Sequence, residues 1–289
     1  MGGLTGEQSA LLAWGEERRR DLPWRRTRDP WAVLVSEVML QQTQVARVLP
    51  AYESFLARFP TAAACAAAPA GEVVRQWAGL GYNGRAVRLH ASARVVTEKL
   101  GGCFPDTLDG LRRLPGVGPY TARAVLAFAF EADAAVVDTN VARVLARTTG
   151  RPLTPREVQG RADAWLPPRQ AWAWNQAVLD LGATVCTART WACAVCPLAA
   201  ACAWAAAGNP APDPAVGSAG VSGGQTRFQG SDRQGRGRLV AALRHGPVAR
   251  ADLPAAMGWP DDADRAARVA AALLADGLAV DDGGHLRLP

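Results

Sequence analysis

Apolar residues recur along this chain every three or four positions, the spacing of one face of a helix, and no run before residue 205 alternates as a strand would. The pattern predicts a helix over residues 8–19, with Leu11, Leu12 and Trp14 on its apolar side. A second is expected over 31–40, opened by Asp29 as cap and Pro30 in the first turn, and carrying Val33, Val35, Glu37, Val38 and Met39. A third covers 44–59 and is ended by Pro60. Short helices follow over 61–67 and 71–77, then a glycine-rich turn at 79–84 and a longer helix over 85–100. Two more are expected over 155–166 and 170–181, so the body reads as all-α.

The interval from residue 114 to residue 143 holds two breaks in this pattern. Residues 108–113 are short and amphipathic, and 121–130 are apolar at helical spacing; Pro115, Gly116, Gly118 and Pro119 separate them. The expected element is a helix, a tight glycine hairpin and a second helix. Glycines let the backbone come close to something bulky. The N–H groups of Gly116 and Gly118, facing out at a helix N-terminus, make an anion site. An ordinary helix–helix connection uses the same residues. Further on, Asp138 follows Val136 and Val137 and precedes the helical pattern of Val141, Val144 and Leu145. It is expected at an N-cap, where the helix dipole and orphan N–H donors lower a carboxylate pKa and keep the group ionised. A fixed negative charge there can stabilise a cation; a plain helix cap is the alternative.

The pattern changes after residue 207. Residues 208–230 are rich in Gly, Pro, Ala and Ser and read as a flexible linker. Helices are expected over 236–245, 250–257 and 261–276, then two short strands at 278–280 and 285–288 around an Asp-Asp-Gly-Gly turn. Three helices and a hairpin suggest a small winged-helix-like module over 231–289.

Composition narrows the partners. The 289 residues are 49% hydrophobic, enough for one large or two modest domains. No apolar run is long enough to span a bilayer and the N-terminus lacks a signal-peptide core, so a soluble, cytoplasmic protein with no membrane partner is expected. A net charge of +6 favours a polyanion, nucleic acid first. Lys99 is the only lysine among 32 basic residues. Cys186, Cys193, Cys196 and Cys202 are spaced C-x6-C-x2-C-x5-C, a set able to hold tetrahedral zinc or a [4Fe-4S] cluster, and spacing alone does not choose. His90, His245 and His285 are isolated. Cys65 and Cys103 lie in apolar contexts and are expected to be buried.

The hairpin, Asp138 and the cysteine spacing together resemble the helix-hairpin-helix DNA glycosylases that carry an iron–sulfur cluster, from about Leu11 to Cys202. Within them, Val35-Ser36-Glu37-Val38-Met39-Leu40-Gln41-Gln42-Thr43-Gln44-Val45 resembles the MutY-type adenine glycosylase signature almost without change. Leu22-Pro23-Trp24-Arg25, Gly79-Leu80-Gly81-Tyr82 and residues 175–182 match as well. The resemblance implies an all-α, two-domain helix-hairpin-helix DNA glycosylase fold with a [4Fe-4S] cluster loop. One domain would be discontinuous, residues 1–22 with 135–207, and the other would be 23–134.

It also implies a chemistry. Adenine is a poor leaving group until its ring is protonated. Glu37, desolvated by an apolar helix face, would arrive protonated and donate to adenine N7, help worth on the order of a hundred- to ten-thousand-fold in rate. Asp138 would stabilise or trap the oxocarbenium-like sugar, with Tyr120 and Asn140 beside it. Gln41, Gln42, Thr43 and Tyr82 would contact bases, because a target base must leave the duplex. Arg25 would lie near the adenine pocket, and Arg143 is a candidate phosphate or carboxylate partner or a surface charge. Bifunctional relatives carry a lysine in the hairpin and cut the strand through a Schiff base. Here that position is Tyr120, which implies a monofunctional enzyme that leaves an abasic site.

The expected partner is double-stranded DNA, bound at the nucleoid by a monomer, with adenine mispaired to 8-oxoguanine or guanine. The chain departs from the family at Asn83, where tyrosine is frequent, and at Thr139, where glycine is frequent. Many members end in a Nudix-like domain that recognises 8-oxoguanine; residues 231–289 are too few for it, which leaves the preference for that lesion open. Two rival readings are a thymine mismatch glycosylase and a non-enzymatic iron–sulfur regulator.

Overall fold

The structure, a computed structural model, describes residues 3–218 and 227–289. The middle of the expected linker, 219–226, lies outside the described residues. The helices expected from periodicity form, with ends displaced by a few residues. Thr5 and Gln8 close a capping box on α1 (Gly6–Arg18). In α2 (Pro30–Leu40) every residue from Trp31 to Met39 is buried, as suits a helix apolar on all sides. Next come α3 (Val45–Arg58), α4 (Ala62–Ala67), α5 (Ala70–Gln76) and α6 (Gly84–Arg94). The last of these widens into a π-turn over Val95–Lys99. The hairpin lies between α7 (Leu108–Arg112) and α8 (Pro119–Ala129). Then follow α9 (Thr139–Thr149), α10 (Pro155–Trp165), α11 (Ala171–Thr184) and the short α12 (Ala203–Ala206).

The chain divides into two compact units, one of residues 1–30, 106–108 and 118–224, the other of 31–105, 109–117 and 225–289. In the first, α1 lies against α11 so closely that a Cβ at Gly15 would stand 2.6 Å from the Cβ of Ala177. Leu11, Val144, Leu145, Trp174, Val178 and Leu181 form the heart of its core. Asp180, fully buried on α11, takes both terminal nitrogens of Arg25 (2.7 and 2.9 Å) and Nε of Arg20 (2.6 Å). Residues 208–218, read from composition as part of a flexible linker, are held in this unit. Asp213 pairs with Arg147, and the Ser218 hydroxyl accepts from the Leu153 N–H at 3.0 Å.

In the second unit Trp31, Phe55, Phe59 and Trp77 make an aromatic core with tilted and edge-on rings, and the Trp31 indole donates to the Phe59 carbonyl at 3.0 Å. The C-terminal module belongs to this unit. It runs α13 (Asp232–His245), β1 (Val248–Ala249), α14 (Leu253–Met257), α15 (Ala263–Ala275), β2 (Val280–Asp281) and β3 (His285–Arg287). Its sheet is antiparallel in the order β1-β3-β2. The strand β1 was not expected: two residues are too few to show alternation, and only pairing with β3 defines them. Cys65 is buried and its thiol is pushed up to about 12 by desolvation; Cys103, expected to be buried, is exposed after the Gly101-Gly102 turn.

Candidate active site

Asp138 occupies the N-cap of α9 as its spacing predicts, with extended backbone (φ −101°, ψ −173°). One carboxylate oxygen accepts from the Val141 N–H and the other from the Asn140 side-chain amide, both at 2.8 Å. The approach to Asp138 is pinned by Asn175, whose amide oxygen accepts from the Val136 N–H at 2.8 Å while its amide nitrogen donates to the carbonyls of Ala134 and Ala171. Behind Asp138 the contacts form a chain. Asn140 Oδ1 accepts from Arg143 Nη2 at 2.8 Å, and Arg143 also donates to the carbonyls of Gly182 (2.5 Å) and Cys186 (2.8 Å). Gly182 sits in the last turn of α11, where nothing larger fits. A Cβ there would lie 2.7 Å from the Asn140 Cβ and 2.9 Å from its carbonyl oxygen.

The expected depression of the Asp138 pKa is corrected by this setting. Burial pushes the carboxyl above its ordinary value, and the donors from Val141 and Asn140, with the charge of Arg143, oppose that shift without reversing it. The cap donors and the helix dipole are legible in the sequence, while desolvation is not, because it depends on everything packed around the group. Arg143 is buried and its donors point inward, so the alternative of a surface charge does not apply; it is a strut between the Asp138 helix and the first cysteine. Arg25 is likewise buried, with Nη1 and Nη2 engaged by Asp180 and by the Arg20 carbonyl.

Glu37 lies on the other unit, in the middle of α2 and 5% exposed. Its neighbour Ser36 satisfies its buried hydroxyl by donating to the Val33 carbonyl at 2.8 Å. The residues expected to contact bases flank two turns after α2 and α5. Gln42 (φ +56°) and Tyr82 (φ +46°) both occupy the left-handed region, rare for residues with a Cβ. Tyr82 is 45% exposed.

One residue holds both turns. Arg85 is 4% exposed. Its Nη1 donates to the carbonyls of Val38, Met39 and Gln41 (2.6–2.9 Å), and its Nη2 to Thr43 Oγ1 and the carbonyls of Leu80 and Gly81 (3.0–3.1 Å). Burial holds this guanidinium down near 10, an unusual position for an arginine. Sequence reading passed over Arg85 because an arginine near the start of a helix carries no local signature. Gly182 carries no signal either, because a glycine at the end of an expected helix reads as an ordinary terminus.

At the hairpin Gly116 has φ +78°, and a Cβ there would stand 2.8 Å from the Arg88 Cβ. Gly116 and Gly118 are exposed, and Gly118 caps α8 with Pro119 at its first position. Tyr120 follows, half-buried in the first turn of α8.

Cys186, Cys193, Cys196 and Cys202 line one cavity together with Trp191, Trp204 and Leu198. Among the described residues no three His, Cys, Asp or Glu side chains converge as a single metal ion requires. Four thiols lining one cavity are a donor set that either tetrahedral zinc or a [4Fe-4S] cluster can use. Arg147 completes the wall. It donates from Nη1 to Cys186 Sγ at 3.2 Å, pairs with Asp213 at 2.6 Å, and has the rings of Trp204 and Trp191 at 4.8 and 5.1 Å. A cation donating to sulfur suits a thiolate ligand.

A glycine helix-hairpin-helix, a capped aspartate and a four-cysteine pocket, carried by one chain, are the marks of the base excision DNA glycosylases. The family description "HhH-GPD superfamily base excision DNA repair protein" matches residues 35–168. A solved thermostable thymine-DNA glycosylase aligns with a TM-score of 0.64 at 30% identity, over 69% of this chain and 94% of that one. A trapped endonuclease III–DNA intermediate aligns with a TM-score of 0.60 at 25% identity, over 72% of this chain and all of that one. An adenine DNA glycosylase of Mycolicibacterium smegmatis is 44% identical over 275 residues, covering 93% of this chain and 90% of that one. The chain therefore belongs to the MutY-type adenine DNA glycosylases of the HhH-GPD superfamily. It is a DNA N-glycosylase, a hydrolase of base excision repair. No helix among the described residues is long and apolar enough to cross a membrane.

Proposed function

We propose that this enzyme excises adenine mispaired with 8-oxoguanine or guanine and leaves an abasic site. The observation that carries the reading is Asp138, a carboxylate fixed by two hydrogen bonds and braced through Asn140 and Arg143. That is the rigid anion a developing sugar cation needs. The 44% identity to an adenine DNA glycosylase along most of both chains supports adenine over thymine as the target.

The adenine first leaves the stack. Gln41, Gln42, Thr43 and Tyr82 contact the bases around it, while the exposed glycine hairpin takes a backbone phosphate on its N–H groups. Glu37, buried in the middle of α2, gives its proton to adenine N7. The C1′–N9 bond breaks and its electron pair goes with the purine. Positive charge on C1′ and the ring oxygen is held by the Asp138 carboxylate, which either screens it or forms a C1′ ester. Water then adds to C1′ and gives up a proton, completing the abasic sugar. Asn140 is the donor that fixes Asp138, and Tyr120 is proposed to act at the same centre. The hairpin carries no amine, so Schiff-base strand cleavage has no nucleophile there.

The four cysteines would hold a [4Fe-4S] cluster, which when bound supplies a covalent brace and a redox-active centre. Arg147 orients and partly neutralises the thiolate of Cys186.

The test is single-turnover release from duplexes with adenine opposite 8-oxoguanine, guanine or cytosine, with a thymine–guanine duplex beside them. Release from the first two pairs, lost in Asp138→Asn, is expected. Release of thymine alone would overturn the assignment, and tight binding with no release from any duplex would favour the regulator.

A further inference from the structure

The C-terminal module is docked onto the turn that carries Tyr82. Arg244, half-buried on α13, reaches the helix before that turn and the residue that follows Tyr82. Its Nε donates to the Val74 carbonyl at 3.1 Å, an acceptor in the last turn of α5, and its Nη2 donates to Asn83 Oδ1 at 2.9 Å. Asn83 is the N-cap residue of α6, a position where asparagine normally bonds its own helix. Here its side chain makes no cap bond and its oxygen faces Arg244 instead. A second anchor lies on the same helix: the Gly71 N–H donates to the Pro289 carbonyl at 2.7 Å, and a Cβ at Gly71 would stand 2.4 Å from that oxygen. Four of the module's other arginines are paired internally. Arg236 pairs with Asp276, Arg265 and Arg268 with Asp232, and Arg250 with Asp281.

Resting on the adenine–8-oxoguanine reading above, we propose that Arg244 is a positioning residue. Through Asn83 it fixes the Tyr82 turn and makes the C-terminal module part of the discrimination of the base opposite the target adenine. The physical reason is the strain in the turn. Tyr82 sits at φ +46° between two residues that are themselves clamped, Gly81 by Arg85 and Asn83 by Arg244. A left-handed tyrosine persists only where its surroundings over-determine it. Guanine and 8-oxoguanine differ by one oxygen and one N–H, and telling them apart asks for a contact placed to well under an ångström. Releasing Asn83 lets the turn relax, and the contact that separates the two bases is blurred while base excision itself remains.

The experiment compares full-length wild type, Arg244→Ala, Arg244→Lys, Asn83→Ala and the Arg244→Ala/Asn83→Ala double variant. Single-turnover rates on 8-oxoguanine–adenine and guanine–adenine duplexes give a preference ratio, and melting temperatures report folding. Each alanine variant is expected to lower the ratio by about tenfold, chiefly through the 8-oxoguanine duplex. The double variant should do no worse than the singles, as coupled residues require. Lysine, which keeps one donor, should recover part of the ratio. Asn83→Ala leaves the bond to Val74 intact, so it separates positioning from unfolding of the module. A ratio unchanged in Asn83→Ala, or effects that simply add, would overturn the proposal. If wild type releases no adenine from either duplex, the functional reading itself fails, a result distinct from an unaltered ratio.

Discussion

Arg85→Lys is the sharpest test of how the base-contacting turns are held. Two nitrogens of the buried guanidinium serve six acceptors. A lysine ammonium carries three N–H groups, so about half of those acceptors lose their donor. A hydrogen bond contributes about 1 kcal/mol net, and a stranded buried carbonyl costs about 1–3 kcal/mol, so the loss is about 3 kcal/mol. Burial opposes the charge, since holding the guanidinium near 10 rather than 12.5 corresponds to about 3 kcal/mol. The substitution does not recover that, because the ammonium is the more strongly hydrated ion. At about 2–4 °C per kcal/mol for a chain of this size, the transition that includes the second unit should fall by about 6–12 °C. Differential scanning calorimetry at neutral pH measures it, with Arg88→Lys, an exposed arginine three residues on, as the control. A fall no larger than the control's would refute the claim that these bonds hold the turns.

Three further outcomes follow from the same contacts. Asp180→Asn leaves the buried Arg25 uncompensated and should cost about 3–5 kcal/mol by urea denaturation. Burial raises the Asp180 pKa, but Arg25 and Arg20 lower it further, so the folded value lies below the unfolded 3.8. The wild-type advantage is therefore complete above 3.8 and fades as pH falls through the folded value; an advantage unchanged in strong acid would contradict this. Gly182→Ala forces a methyl against Asn140, at about 1–3 kcal/mol and about a tenfold slower single turnover; an unaltered rate with iron content retained would show that the brace behind Asp138 is not needed. Finally, Asp138 works as the anion in the proposed mechanism, and burial raises its pKa from 3.8. The acid limb of the single-turnover rate should lie above that pH, and a limb at or below it would argue against this carboxylate or its environment.

Arg143 and Arg147 extend the chemistry inward from Asp138. They lie one helical turn apart on α9. Arg143 reaches the Cys186 carbonyl and Arg147 the Cys186 sulfur, so both bind the residue that opens the cysteine loop.

What the sequence determined by itself is what neighbours along the chain decide. Helix positions follow from apolar spacing, and the ends of α8 and α9 from Pro119 and Asp138. The hairpin is legible in Gly116, and the cysteine loop in four thiols within seventeen residues. These are contacts of range three to twenty, and a residue type at a spacing is enough to announce them. Tertiary structure alone decided the rest. Asp180 meets Arg25 across 155 positions, Arg244 meets Asn83 across 161, and Arg85 gathers carbonyls more than forty residues away. No local pattern marks such partners, because a guanidinium's acceptors are backbone oxygens that every residue has. The strand β1 exists only through β3, and Asp213 is fixed only through Arg147. The direction of the Asp138 pKa belongs to the same group. Its donors lie within three residues and were readable, whereas the desolvation that outweighs them is summed over packing that only the folded chain assembles.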